Sequence, residues 1–466
     1  MIFFACVVCK ATHCLLRLFN FGATSLPGAL ALKICPDILG YAAKNVDIIA
    51  VTGTNGKTTS ARIIERALQN SGRSVCANRS GANLMPGITA ELIMNKSLFG
   101  STRCESAVIE CDEAACRLVL GKLRPRVLLI TNLFRDQLDR YGTVAHPRDC
   151  IAEGLRDTPE TIAVINADCP MAASVSRLCP NRTVYYGLGE HKKTSVGSGE
   201  DDTCPVCGKR LGYKGLSYAN LGVFSCSCGF ARSAPDVSAE SVFSDGSFVL
   251  RALSDKTVCT PALPGLYNVY NSVGAVAAAT ACGVPLKQAA AAAQDFDCGF
   301  GRMESFPLGK RGARMILVKN AAAADQTLDE VCRAPGEKTL VLSVNDRTAD
   351  GTDISWLDEA DFGMLARRGK LGRVYVCGDR ADADDDRALA VLAQRLLDEL
   401  GSLLQIARAD ILAKLLNEHH VALAHGKRKA RLAVREDVLH GLHGQALKVL
   451  VQAADQEHAA VELGLN

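Results

Sequence analysis

The sequence has no strong excess of charge of either sign and no long uninterrupted apolar run. Its 466 residues carry a formal net charge of +3, which is too small to indicate nucleic acid or an acidic surface as a partner. Hydrophobic residues make up 48% and charged residues 22%, as in ordinary soluble globular proteins. The length suits two or three domains with sizeable cores, and no internal repeat is visible.

The first eighteen residues are apolar but are interrupted by Lys10 and Arg17. The stretch is too short and too interrupted for a membrane span, and it lacks the charge order and cleavage site of a signal peptide. We expect a helix that packs on the first domain. A membrane-surface anchor is the alternative.

Cysteine, by contrast, is abundant, with 20 residues in the chain. Most lie singly in apolar runs, as Cys111, Cys282, Cys298 and Cys377 do, where a buried thiol behaves as a small hydrophobic group. Scattered thiols of this kind favour a reducing compartment, so we expect a cytoplasmic protein.

One nine-residue segment, Val51 to Thr59, carries the clearest chemistry. It joins an apolar run to a helical pattern that stops at Gly72. A strand, a glycine-containing turn, Lys-Thr and a helix together direct backbone N–H groups at a polyphosphate. Lys57 would add a positive charge near the outer phosphates, and the Thr58 hydroxyl could ligate Mg²⁺. The segment predicts a nucleoside triphosphate site, although Val51 stands where the full Walker pattern has Gly.

Apolar runs and helical stretches alternate along the chain, which predicts an α/β fold with a parallel sheet covered on both faces. The predicted strands of the first series are 48–51, 107–109, 127–130 and 162–165, and those of the second series are 315–318, 340–344 and 374–377. We therefore expect an N-terminal segment over 1–45, an ATP-binding domain over 46–305 and a C-terminal Rossmann-like α/β domain over 310–466.

Polar residues follow two of the predicted strands directly. Glu110-Cys111-Asp112-Glu113 comes after one, and a segment containing Asn132, Asp136 and Gln137 comes after another. Carboxylates at the end of a strand, in the same sheet as a phosphate loop, are well placed to hold Mg²⁺. For the acidic segment alone, a solvated turn is an equally good interpretation.

Four cysteines form two pairs inside the ATP-binding domain: Cys204 with Cys207, and Cys226 with Cys228. Two such pairs can bring four thiolates to one tetrahedral Zn²⁺ ion. We favour a structural zinc ribbon over about 203–231, because four protein ligands leave no open position for catalysis. Four unligated thiols in a loop, or a redox role for the first pair, are the alternatives.

These motifs resemble the Mur ligase family, ATP-dependent ligases that activate a carboxylate as an acyl phosphate for attack by an amine. The resemblance rests on Gly53-Thr54-Asn55-Gly56-Lys57-Thr58-Thr59, on the acidic segment ending at Glu113, on Thr131 to Gly142, on Asn166-Ala167-Asp168, on Tyr267 to Asn271 and on Phe300 to Glu304. It implies that Glu113 holds Mg²⁺, that the Asn268 and Asn271 motif contacts the adenine, and that Arg302 approaches the phosphates.

Four features resemble one branch of that family more closely. They are the four-cysteine insert, Gln137 in place of the usual His, Asn78 to Leu84, and a segment from Asn345 to Trp356. The branch implies a heterodimeric amidotransferase, in which a glutaminase subunit supplies ammonia and this chain amidates the α-carboxylate of D-glutamate in the lipid II stem peptide. Membrane contact would then be at most peripheral, through the substrate, and whether lipid II or a soluble precursor is the acceptor stays open.

The same resemblance implies that an aspartate of the Asn345 to Trp356 segment orients the catalytic histidine of the glutaminase. Asp350 is our choice, and Asp353 is the alternate. A plain turn at Asp350-Gly351 is the default interpretation from sequence alone. Residues 382–466 follow no pattern that we can assign.

Two rival functions stay open at the level of sequence. An amino-acid-adding Mur or folylpolyglutamate-type ligase would act without a partner and would use an amino acid rather than ammonia. A non-catalytic ATP-binding scaffold would recruit partners through its cysteine insert and C-terminal domain. The presence of Lys57, Thr58, Glu113 and Arg302 argues against loss of catalysis.

Overall fold

The chain divides into two compact units, residues 1–298 and 299–466. The computed structural model describes residues 1–19, 24–98, 100–134, 145–189, 203–243 and 245–296 of the first unit, and 302–308, 311–318, 320–336, 338–344, 356–368, 371–377, 404–406 and 447–453 of the second. The finer domain boundaries drawn from the sequence stay predictions.

The first unit is built on a nine-stranded mixed sheet with the order β11-β10-β9-β6-β5-β4-β1-β3-β2. Its strands are β1 (Asp47–Thr52), β2 (Val75–Ala77), β3 (Ser106–Glu110), β4 (Val127–Ile130), β5 (Ile162–Asn166), β6 (Thr183–Leu188), β9 (Val237–Val242), β10 (Phe248–Ala252) and β11 (Asp255–Cys259). Pairing is parallel from β2 through to β9 and antiparallel between β9, β10 and β11. A separate hairpin joins β7 (Gly212–Tyr218) and β8 (Leu221–Ser225).

The described helices of this unit are α1 (Ile2–Leu18), α2 (Leu26–Ile34), α3 (Ile38–Ala43), α4 (Lys57–Asn70), α5 (Met85–Met94), α6 (Cys116–Leu123), α7 (Ala145–Arg156), α8 (Pro170–Ser174), α9 (Leu266–Ala281) and α10 (Leu286–Ala292). In the described parts of the chain, no helix is both long enough and apolar enough to cross a bilayer.

The centre of the sheet is apolar because both of its faces are covered. Every residue of β3 and β4 is buried, as are five of the six residues of β1. Such continuous burial is typical of parallel strands between two helical layers. α9 packs on this sheet and on α4, and its many small side chains permit a close approach. A Cβ at Gly274 would lie 2.7 Å from the ring of Tyr186.

A buried ion pair ties the segment after the β7–β8 hairpin to the sheet. Asp168, which follows β5, has a fully buried side chain and accepts a hydrogen bond from Arg232 Nε at 2.5 Å. The same carboxylate accepts bonds from the Tyr270 hydroxyl at 2.7 Å and from the Leu188 N–H at 2.9 Å. Burial raises the pKa of Tyr270, which keeps this hydroxyl protonated as a donor.

The second unit contains a six-stranded mixed sheet with the order β12-β13-β17-β14-β15-β16. The strands are β12 (Arg302–Leu308), β13 (Arg311–Val318), β14 (Lys338–Val344), β15 (Leu371–Cys377), β16 (Leu404–Ile406) and β17 (Leu447–Ala453), and the described helices are α11 (Ala321–Arg333), α12 (Trp356–Glu359) and α13 (Gly363–Arg368). β14, β15 and β16 are parallel, whereas β17 runs antiparallel between β13 and β14. The fold is therefore α/β in both units.

We predict that Arg232→Met destabilises the first unit by about 3–5 kcal/mol, because it leaves the Asp168 carboxylate buried without its cation. Chemical denaturation of the full chain would measure the change. Arg251→Met is the matched control, since Arg251 pairs with Glu240 at the surface and should cost about 0–1 kcal/mol. If the two substitutions lowered the free energy of unfolding equally, the buried Asp168–Arg232 pair would not stabilise the unit more than a surface pair does.

Candidate functional site

The phosphate loop lies between β1 and α4, at the carboxyl end of β1, where open α/β sheets bind ligands. Gly56 immediately precedes α4 and has φ +83°. A Cβ at Gly56 would lie 2.0 Å from Asn271 Oδ1, and one at Gly53, which has φ +126°, would lie 2.2 Å from Thr131 Oγ1. Both positions therefore require glycine, because of their backbone conformation and because of a neighbouring side chain.

Residues that follow β4 hold the middle of this loop. Asn55 donates its backbone N–H to Asn132 Oδ1 at 2.9 Å, and its carbonyl accepts bonds from Thr131 Oγ1 at 2.7 Å and from Asn132 Nδ2 at 3.1 Å. The Thr54 N–H also bonds to the Asn132 carbonyl at 2.8 Å. The loop is thus fixed in shape by the neighbouring strand, before any ligand binds.

Charged side chains meet at the start of α4. Lys57 Nζ lies 2.8 Å from Glu113 Oε1, and it also donates to the Gly53 carbonyl. Thr58 Oγ1 donates to Glu110 Oε2 at 2.9 Å. The side chains of Lys57 and Glu113 are only 16% and 9% exposed, so their charges are weakly screened by solvent. The predicted cation and carboxylate are therefore brought together.

The donor set suits a nucleotide with Mg²⁺. Two carboxylates and a hydroxyl offer the hard oxygen ligands that Mg²⁺ prefers, and Mg²⁺ usually completes its shell with water and phosphate oxygens. Glu110 joins Glu113 in this donor set, although the family resemblance implies Glu113 alone. The hydrogen bond from Thr58 is what identifies Glu110 as a candidate ligand. In the sequence, the only sign of such a role for Glu110 is its place in the acidic segment.

Asn78 holds the acidic segment in position. Its side chain is almost fully buried, accepts from the Glu110 N–H at 2.9 Å and donates to the Glu110 carbonyl at 2.9 Å. The Asp112 N–H bonds to the Asn83 carbonyl at 3.0 Å. The segment from Asn78 to Leu84, noted in the sequence only as a family pattern, therefore supports the backbone that carries Glu110 and Glu113.

Asn268 and Asn271 lie in the first turns of α9, with Asn271 directly against Gly56. Asn271 Nδ2 donates to Asn268 Oδ1 at 3.2 Å, and Ser60 Oγ of α4 donates to the Asn271 carbonyl at 3.3 Å. Asn268 Nδ2 donates to the Pro264 carbonyl at 2.7 Å. The two asparagines are thus adjacent to the phosphate loop, and contact with adenine stays a prediction.

Other predicted residues fall outside this description. Gln137, Asp136, Asp350 and Asp353 lie outside the described residues. Arg302 begins β12, for which the backbone alone is described. The roles assigned to these residues therefore stay predictions.

The four predicted cysteine ligands converge at the β7–β8 hairpin. The Sγ atoms of Cys204, Cys207, Cys226 and Cys228 all lie within 4.8 Å of one another. The Cys204–Cys228 and Cys207–Cys226 sulfur distances are 3.8 and 3.5 Å. Tetrahedral thiolate ligands at about 2.3 Å from one metal ion would be roughly 3.8 Å apart. The cluster can therefore hold a metal ion.

The two cysteine turns have matching backbone hydrogen bonds despite their different spacing. The Gly208 N–H bonds to the Cys204 carbonyl at 2.9 Å, and the Gly229 N–H bonds to the Cys226 carbonyl at 3.0 Å. Both glycines have positive φ. Chain reversal at each glycine lets the shorter Cys-x-Cys pair present two thiols as the longer pair does.

One thiol of the cluster is biased towards the form that binds metals. The backbone N–H of Cys228, together with hydrogen bonds from the neighbouring thiols, lowers the pKa of Cys226 to about 6. Thiolates, not thiols, are metal ligands. Below the cluster, Phe224 and Phe230 pack with ring centroids 5.1 Å apart, in a small apolar core with Leu211 and Ala173.

We expect the purified full-length chain to carry about one transition-metal ion at this cluster, and Cys226→Ser to lose it, because three thiolates and a hydroxyl bind such an ion more weakly. Elemental analysis after dialysis would measure the metal content. Cys14→Ser is the control, since Cys14 is exposed on α1. Unchanged metal content in Cys226→Ser would refute the ligand set.

Comparisons with known proteins identify both halves of the chain. The profile of the Mur ligase middle domain matches residues 51–204, and that of the MurT ligase C-terminal domain matches residues 317–396. The chain is 32% identical to the MurT subunit of the glutamine-hydrolysing lipid II isoglutaminyl synthase of Staphylococcus aureus (strain COL). That alignment has 362 residues and covers 77% of this chain and 81% of that protein. For the Streptococcus pneumoniae protein of the same name, identity is 33% over 360 residues, with 76% and 79% covered.

Solved structures agree with the chain at the level of fold. A pseudomurein peptide ligase type C from Methanothermus fervidus has a TM-score of 0.60 at 24% identity, with 80% of this chain and 70% of that chain covered. A MurF structure from Acinetobacter baumannii also has a TM-score of 0.60, at 16% identity, with 89% and 80% covered.

Proposed function

The chain belongs to the MurT branch of the Mur ligase family, and on that premise we propose that it is the ATP-using subunit of a lipid II isoglutaminyl synthase. It would convert the α-carboxylate of D-glutamate in the stem peptide of lipid II to the amide of D-isoglutamine. The reaction would serve peptidoglycan synthesis in the cytoplasm. The observation that carries the proposal is the meeting of Lys57, Thr58, Glu110 and Glu113 at the phosphate loop, in a chain so similar to two MurT subunits.

The proposed reaction has two steps. A carboxylate oxygen of the D-glutamate attacks the γ-phosphorus of ATP, which forms an acyl phosphate and releases ADP. Ammonia then attacks the acyl carbon, phosphate leaves with the bonding electrons, and the amide remains after loss of a proton. The residues of the site have the charges that phosphoryl transfer requires, since catalysis of this step is mainly positioning and charge neutralisation.

Individual residues support separate parts of that task. The N–H groups of Gly53 to Thr59 would surround the phosphates, with Lys57 freed from Glu113 to pair with phosphate oxygens. Mg²⁺, bound near Thr58 and the two glutamates, would neutralise phosphate charge. We assign the adenine contact to Asn268 and Asn271, and a second positive charge at the phosphates to Arg302, on the basis of their family motifs.

We propose that the metal of the cysteine cluster is zinc and that its role is structural. Four thiolate ligands suit Zn²⁺ and leave no open coordination position. The cysteines flank the open end of the β7–β8 hairpin, two before β7 and two after β8, beside an apolar core that is small. A bound ion would therefore stabilise the fold of this insert rather than take part in ligation.

Ammonia would come from a second protein. The S. aureus and S. pneumoniae relatives are each named as a subunit, which implies a partner protein. We propose that this partner is a glutaminase of the GatD type, in a heterodimer with this chain. Asp350 would orient the catalytic histidine of that partner by accepting its Nδ1–H, which fixes the tautomer. Asp353 is the alternate.

We predict that the chain, reconstituted with a GatD-type glutaminase, ATP and glutamine, amidates the stem peptide and that Lys57→Ala reduces the rate by about 100-fold or more. Mass spectrometry of the peptide would detect the reaction, because an OH group is replaced by the lighter NH₂ group. Lys256→Ala is the matched control, since Lys256 pairs with Glu240 at the surface and is remote from the phosphate loop in sequence.

Each rival function gives a different result in that assay. A chain that needs no partner and adds an amino acid would be an amino-acid-adding ligase. Amidation that survives Lys57→Ala would make the chain a scaffold rather than the enzyme. Failure to amidate with ATP, glutamine and the partner present would contradict the proposal as a whole.

For Asp350, we predict that Asp350→Asn lowers glutamine hydrolysis by the heterodimer by about 100-fold or more, because asparagine cannot fix the histidine tautomer in the same way. ATP affinity of this chain should not change. Asp353→Asn is the comparison, and it should keep most of the activity. Loss of hydrolysis in Asp353→Asn alone would assign the role to Asp353. Normal hydrolysis in both variants would refute the proposal that an aspartate of this segment orients the histidine.

A further inference from the structure

The outer side of α1 is apolar, although it is exposed. α1 packs on α2, α3 and α5, and its buried residues are Ala5, Cys6 and Cys9. At 100° per residue, the opposite side of the helix carries Phe3, Phe4, Val7, Ala11, Cys14, Leu15 and Leu18, which we call the outer face of α1. A surface helix normally carries polar residues there.

The large side chains of this face are strongly exposed. Phe3, Phe4, Leu15 and Leu18 are 59%, 60%, 58% and 79% exposed. Among the described residues, eight of the fifteen exposed large hydrophobic side chains lie within the first 26 residues. The remaining seven are scattered over the rest of the first unit. Single exposed apolar residues are normal, but a contiguous apolar patch indicates a binding surface.

The charged residues of α1 and α2 are all basic. Residues 1–36 contain Lys10, Arg17 and Lys33 and no aspartate or glutamate. Lys10 is directed inward, since its Nζ donates to the Lys96 carbonyl at 2.7 Å, but Arg17 and Lys33 are exposed. On α2, the exposed Leu26 lies seven residues before Lys33 and hence on the same side of that helix. The surface therefore complements an apolar layer bordered by negative charge.

We propose that the outer face of α1, with Leu26 and the two exposed basic residues, binds the surface of an anionic phospholipid bilayer. α1 has 17 residues, so it would lie in the interface, with its apolar side among the acyl chains, and would not cross the bilayer. The physiological use of this contact rests on the proposed function, because a lipid-linked acceptor is held at such a surface. The contact itself needs no substrate.

Flotation of the full chain with vesicles tests this binding directly. The vesicles contain phosphatidylcholine alone or phosphatidylcholine with phosphatidylglycerol, and no peptidoglycan precursor. The test variant carries Phe3→Gln, Phe4→Gln, Leu15→Gln and Leu18→Gln. The matched control carries four exposed apolar residues from elsewhere in the same unit: Leu118→Gln, Phe243→Gln, Leu253→Gln and Val258→Gln.

We expect the unmodified chain and the control to float with the anionic vesicles and to bind more weakly to the neutral ones. The partition coefficient of the test variant onto anionic vesicles should be lower by about tenfold or more, because buried apolar area drives interfacial binding. No flotation of the unmodified chain, or equal flotation of both variants, would overturn the proposal. A dimer that becomes monomeric only in the test variant, seen by size-exclusion chromatography without lipid, would instead make the face a protein interface.

A second measurement separates this inference from the proposed function. The test variant, reconstituted with the glutaminase, should amidate a soluble stem peptide at the unmodified rate, since the substituted side chains point away from the core of the unit. Normal amidation with lost flotation supports the membrane contact. Flotation without amidation by the unmodified chain would contradict the proposed function and leave the membrane contact supported.

Discussion

The geometry of the site depends on one crowded point, where the backbone of Gly56 passes against the side chain of Asn271. No side chain fits there, since a Cβ would lie 2.0 Å from the amide oxygen. This contact joins the phosphate loop to a helix more than two hundred residues later in the chain. Thr131 and Asn132 fix the loop from the opposite side. A loop held by both neighbours could present its N–H groups to a phosphate without reorganisation, which is what electrostatic catalysis needs.

The lysine of the phosphate loop is paired with a carboxylate of the acidic segment. Lys57 is neutralised by Glu113, and the Glu110 carboxylate accepts from Thr58. A phosphate that took the place of Glu113 beside Lys57 would make that carboxylate available for a cation in the same event. The nucleotide and its Mg²⁺ would therefore bind cooperatively, because each provides the charge that the other's protein ligand loses.

Short-range patterns predicted the central sheet well. Strand 127–130 was predicted with the bounds that the structure has, and 48–51, 107–109 and 162–165 each lie within an observed strand. The strands β2, β6, β9, β10 and β11 were not predicted, and β11 is largely exposed and has no buried apolar run. Asp168 was known only as part of a family motif. Its pairing with Arg232 joins residues 64 positions apart, and no local pattern encodes such a distance.

The cysteine insert is held at two places. At the open end of the β7–β8 hairpin, two turns bring four thiols together, and beyond the second turn Arg232 enters the buried network of Asp168. The small apolar core beside the thiols contains Ala173, Cys204, Leu211, Phe224 and Phe230. Asp168 also accepts from Tyr270 on α9, the helix that carries Asn271 to the phosphate loop. The ion pair at the end of the insert and the phosphate loop therefore both rest on α9, so a substitution that loosens this helix should disturb both.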